Sequence, residues 1–115
     1  MSWDQSEVVA ERRIVIETAK GVLSGSVSPV EGARIIARRR FKARLEDDPD
    51  ILPFVGIDSE TEALPLGGER AHWQAQALTD LQDLIDESQA WARTVGAAHC
   101  QNLMARSASL LRWPD

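Results

Sequence analysis

The sequence predicts an all-α fold: a small helical bundle of two amphipathic helices, a long ordered acidic loop, and a long C-terminal helix or helix pair. Three observations predict it. Between residues 4 and 24, Val8, Val15, Ala19, Val22 and Leu23 fall near one face at about 100° per residue. Ser28-Pro29-Val30-Glu31 is a capping box with proline at the first helical position. From Trp73 onward, Leu78, Leu81, Leu84, Ile85, Ala92, Val95, His99, Leu103 and Leu110 keep to one helical face.

The totals set bounds. A chain of 115 residues is read as one domain, able to bury roughly two thirds of its unfolded surface. A net charge of −5 argues against a nucleic-acid partner. With one cysteine, Cys100, there is neither a disulfide framework nor a Cys-based zinc site to expect. The opening MSWDQSEVVAERR holds no apolar signal region, and no run approaches membrane-spanning length. The expectation is a cytoplasmic protein with no membrane partner.

Taken in order, the first helix covers 4–24 and stops at Ser24-Gly25-Ser26. Arg12 projects into its apolar face and must either snorkel to the edge or meet an acid. The second helix covers 28–45, with Val30, Ala33, Ile36, Ala37 and Phe41 as its apolar face. From Arg34 to Arg44 it carries six cations and no acid. Arg38, Arg39 and Lys42 point away from the stripe, while Arg40 and Arg44 fall within its sector. Half-buried arginines need acids. Arg40 or Arg44 is therefore expected to pair with Asp58 or Glu60 as a structural clamp.

Residues 46–72 lack a clear period and read as an ordered loop, pinned by Ile51, Leu52, Phe54, Val55, Ile57, Leu64 and Leu66. Asp48-Pro49 is a possible start for a single helical turn. An extended backbone at 58–62 would put Asp58, Glu60 and Glu62 on one side. The pattern over 73–111 is either one helix or two, bent near Gly96.

Candidate chemistry is sparse. Glu69-Arg70-Ala71-His72 has the spacing of a di-iron motif, but it is a single copy where such sites need two. No metal or other cofactor is expected, and no catalytic residue is assigned. His99 reads as a core histidine with a satisfied ring, and Cys100 as a small hydrophobe. Neighbouring positions on a helix do not face each other, which argues against a Cys/His pair. Gly67-Gly68 lacks the Lys/Ser pair of a phosphate-binding loop. Trp73 and Trp91 read as core or interface anchors, and Trp113 as a contact residue.

The run from Asp48 to Gly67, DPDILPFVGIDSETEALPLG, resembles the signature of a family of small uncharacterised bacterial proteins. Val30-Glu31-Gly32-Ala33 before it and Trp73 after it fit the same pattern. The resemblance covers most of the chain, and no activity comes with it. In size and charge the chain is also similar to immunity proteins, which neutralise a toxin by covering it. The leading expectation is a protein-binding module, with immunity or antitoxin-type neutralisation as one version, that engages a partner through Asp58, Glu60 and Glu62. One alternative is a small metal-dependent or acid/base hydrolase using Asp58, Glu60 and His72. Another is a structural homodimer through the long helix.

Overall fold

The structure is a computed structural model that describes residues 5–113. It is all-α, with no strand among the described residues. The helices are α1 (Gln5–Ser24), α2 (Pro29–Arg39), α3 (Leu52–Thr61), α4 (Ala75–Ala105) and the short α5 (Ser107–Leu110). A 3₁₀ segment, Gly67–His72, precedes α4.

Helix α1 buries Val8, Val15, Ile16, Ala19 and Val22, as its period requires, whereas Leu23 at the last turn is exposed. It ends in a tight turn at Gly25, whose φ of +86° is the left-handed conformation that glycine adopts without strain. Helix α2 starts as its capping box dictates. The Glu31 amide donates to Ser28 Oγ at 3.2 Å, and the Ser28 hydroxyl lies 3.1 Å from Glu31 Oε1. Gln89 of α4 completes the cap, accepting from the Val30 amide (2.9 Å) and donating to Ser28 Oγ (3.1 Å). The first turn of α2 is therefore held by a distant helix as well as by its own residues.

The far end of α2 closes earlier than the expected residue 45. Regular helix stops at Arg39 and a turn over 40–44 follows. The Leu45 amide donates to Arg40 O (2.8 Å) and the Arg44 amide to Phe41 O (3.1 Å), with Arg44 at φ 57°. That is a Schellman closure with arginine where glycine is usual. Because the chain turns here, Phe41 leaves the apolar face and is exposed, contrary to the pattern reading.

The larger correction concerns 46–72. Its centre is not an extended acidic loop but helix α3. Pro53 sits in the first turn, where a missing N–H costs nothing. Phe54, Ile57 and Thr61 are buried at helical spacing, and Gly56 is an exposed helical glycine. Asp58, Glu60 and Glu62 consequently do not share a side.

Helix α4 runs unbroken through Gly96, which decides between one helix and a bent pair down to Arg106. Gly96 is buried because Phe54 packs there: a Cβ at Gly96 would lie 3.0 Å from the Phe54 ring. At 31 residues, α4 is about 46 Å long and so spans most of the molecule's 51 Å long axis.

Named contacts set the helix directions. Gln5 Nε2 donates to Trp113 O (3.1 Å) and Arg12 to Leu110 O (3.1 Å), so α1 starts beside the C-terminal turn. Gln89 touches the start of α2. Helix α1 is thus antiparallel to α4, and α2 runs alongside it. Helix α3 is antiparallel to α4: Phe54 meets Gly96, while Thr61 shares a groove with Leu84, Ser88 and Trp91. The core of Val15, Val30, Ile36, Ile51, Phe54, Ile57 and Leu103 lies between these four helices. In α4 the first fully buried residue is Ile85. The helix before it has Leu78 and Leu81 half-buried and Leu84 exposed.

Candidate interaction surface

Three sets of charged side chains divide the surface. The first surrounds Arg12, which is buried in α1. Its guanidinium donates to Ala43 O (2.8 Å), Leu110 O (3.1 Å) and Arg44 O (3.3 Å), and lies 5.5 Å from the Trp113 ring centre. It satisfies the carbonyls left open where α2 closes and where α5 ends. Trp113 is half-buried by this contact.

The second set joins the turn before α3 to α4. Arg106 binds Asp48 through two nitrogens (2.6 and 2.9 Å) and Asp50 Oδ2 at 2.7 Å. Asp50 Oδ1 also accepts from Asn102 (2.9 Å) and lies 2.9 Å from His99 Nδ1. Asp48 caps the turn itself, accepting from the Asp50 amide at 2.9 Å. Arginine hydrogen bonding holds the Asp48 carboxyl below the usual range, outweighing its burial. At Asp50 burial pushes upward, but His99, Asn102 and Arg106 together pull the carboxyl down. His99 is half-buried, edge-on to Phe54 at 6.4 Å between ring centres, and its Nδ1 is satisfied. Beside it Cys100 is buried, which pushes its thiol up to about 11 and removes it from thiolate chemistry at neutral pH.

The third set includes the expected site residues. Asp58 is half-buried and is met by Arg34, not by Arg40 or Arg44, with 3.9 Å between charged atoms. Arg34 is itself buried and donates to Thr61 O and to Leu64 O (3.0 Å), closing the end of α3, and lies 3.5 Å from Glu69. The reason is directional. Helix α3 runs opposite to α2, so Asp58 and Thr61 lie beside the first half of α2, while Arg40 and Arg44 are at its far end. Arg40 instead donates to Ala37 O and stacks 4.4 Å over the Phe41 ring. Arg44 is exposed at the Schellman position.

Glu60, Glu62 and His72 are exposed. Among the described residues no hydrogen bond or ion pair joins His72 to Asp58 or Glu60, and no group of three His, Cys, Asp or Glu side chains is placed to hold a metal ion. Glu60 lines an open groove of about 230 Å³ with Thr61 of α3 and Leu84, Glu87, Ser88 and Trp91 of α4. Trp91 is 43% exposed and Leu84 49%. Among the described residues neither Glu60 nor Glu87 has a side-chain partner. The sequence held a signal for this groove that the pattern reading passed over. Leu84, Glu87, Ser88 and Trp91 are spaced i, i+3, i+4 and i+7, a single helical stripe.

No protein-family model matches the chain, and neither a curated protein nor a solved structure is significantly similar to it.

Proposed function

We propose that this protein is a binding module without catalysis, which docks a basic protein partner on the face formed by the end of α3 and the first half of α4. The observation that carries the reading is the groove itself: an exposed tryptophan and leucine beside two unpartnered carboxylates. Exposed apolar residues with a charged rim are the usual build of an interface patch. From Ala75 to Ala92, α4 contributes Asp80, Asp83, Asp86 and Glu87 and no cation. Such a field speeds encounter with a positive partner and weakens with salt.

The same charge favours a different chain over a second copy. A two-fold contact brings the same patch from both subunits together, and here it would bring acid against acid. Immunity-type neutralisation is one form of the reading, in keeping with the chain's small size and acidic charge. The test is capture of a partner from lysate of the source cells at low salt by the wild type, repeated with Trp91→Ala/Glu87→Lys. The expected result is a cationic partner lost from the variant and at high salt. Equal capture by both proteins sinks the reading.

A further inference from the structure

The chemistry of the groove narrows its occupant, on the premise that it is the docking site. Six residues line it: Glu60, Thr61, Leu84, Glu87, Ser88 and Trp91. None is a cation. Glu60 and Glu87 offer only acceptors, and the Thr61 hydroxyl spends its proton on Ile57 O at 2.7 Å, which leaves it an acceptor too. The lining's remaining donors, the Ser88 hydroxyl and the Trp91 indole N–H, sit beside two carboxylates that repel an anion. A purely apolar side chain would cover the two carboxylates and leave them unsatisfied.

What fits is a cation that is also flat and rich in donors. Glu87 and Trp91 are one helical turn apart, so a group over the indole lies within reach of that carboxylate. An indole face attracts cations, and a guanidinium both stacks on it and forks to carboxylates, which a compact, strongly hydrated ammonium does not. The protein makes the same contact within itself, with Arg12 at 5.5 Å from the Trp113 ring centre and Arg40 at 4.4 Å from that of Phe41. The groove at the exposed Trp91 ring is lined by two acids and by no arginine.

We propose that the groove reads an arginine side chain of the partner: its guanidinium lies over Trp91, Glu60 and Glu87 accept its hydrogens, and an apolar neighbour one turn away covers Leu84. This adds a specificity determinant to the docking face and separates arginine-bearing partners from those that are merely basic.

The probe is a short alanine-based helical peptide with one arginine and one leucine a turn apart. It is compared with versions carrying lysine or the uncharged isostere citrulline. Binding is read at the Trp91 indole N–H by heteronuclear NMR, assigned with Trp91→Phe. The arginine peptide is expected to shift that signal at millimolar concentration, and lysine, citrulline or a Glu60→Gln/Glu87→Gln protein to weaken binding about tenfold or more. No shift with the arginine peptide, or equal affinity for lysine, overturns the inference. Partner capture that depends on Trp91, alongside either of those results, leaves the docking reading standing and removes only the arginine. Loss of both removes both.

Discussion

Asp48 and Asp50 lie just before α3, and Glu60 near its end, facing Glu87 across the groove. The first two carboxylates are held by Arg106, Asn102 and His99 from α4, with side chains only 11% and 13% exposed. The other two have no partner among the described residues, although α4 runs past both pairs. The difference lies in what α4 presents. Its last turns supply His99 and Asn102, and the residue capping its end is Arg106; together they turn acid into a strap. Its earlier turns supply Leu84, Glu87 and Trp91, which leave acid beside an uncovered ring. The carboxylates just before α3 therefore brace the fold, whereas Glu60 and Glu87 are left without a partner among the described residues.

The largest break in this comparison comes from Arg34, which ties the end of α3 to α2. Arg34→Met keeps the aliphatic stem but removes the donors to Thr61 O and Leu64 O and the charge facing Asp58. A loss of about 3 kcal/mol is expected in urea unfolding. A loss near zero would mean α3 is held by its apolar face alone. Arg106→Ala comes next. It strips both strap acids of their cation, but Arg106 is 38% exposed and water screens part of the effect. About 2 kcal/mol is expected.

Acid sharpens the same contrast. Asp48 and Asp50 have folded-state pKa values below the ordinary 3.8. Their contribution is therefore fully present above that value and lost as pH falls through the folded-state values. The stability gap between wild type and Arg106→Ala is expected to hold from neutral pH down to about pH 5 and to shrink steadily below about pH 4. A gap that persists undiminished to about pH 2 would show that Arg106 acts through packing and not through charge.

Much of this architecture was legible beforehand, and what was missed has physical causes. The helical period and the Ser28-Pro29-Val30-Glu31 box mark α1 and α2 because local chemistry alone decides them. Helix α3 was hidden by Pro53 and Gly56, two residues that read as breakers when their position in the helix is unknown. Placed in the first turn, Pro53 is a start signal, and Phe54, Ile57 and Thr61 then show the period. The arginine clamp was anticipated as a kind of contact but assigned to the wrong cations. A wheel reports which face a residue is on, not which end of a neighbouring helix lies opposite. Asp50 and His99 are 49 residues apart in sequence and Asp48 and Arg106 58, and only the antiparallel run of α3 against α4 brings them together. His99 was read as a satisfied core residue. It is satisfied at Nδ1, but by Asp50 at a half-open edge.

The smallest expected effect tests the other side of the comparison. Glu60→Gln and Glu87→Gln remove exposed carboxylates from an acid-rich face where neither has a cation to lose. Each should change unfolding free energy by less than about 0.5 kcal/mol, with any bias toward stabilisation because like charges are relieved. The double variant should stay within about 1 kcal/mol of wild type; the two acids share one groove, so their effects couple, and relief of the repulsion between them is gained once and not twice. These substitutions are therefore clean probes of the docking face: a loss of partner binding measured in them cannot be charged to unfolding. A destabilisation matching that of Arg106→Ala would mean Glu60 and Glu87 hold the fold together after all. The two ends of α3 would then be doing the same job, and the search for an interface would move to the exposed Phe41 at the closure of α2.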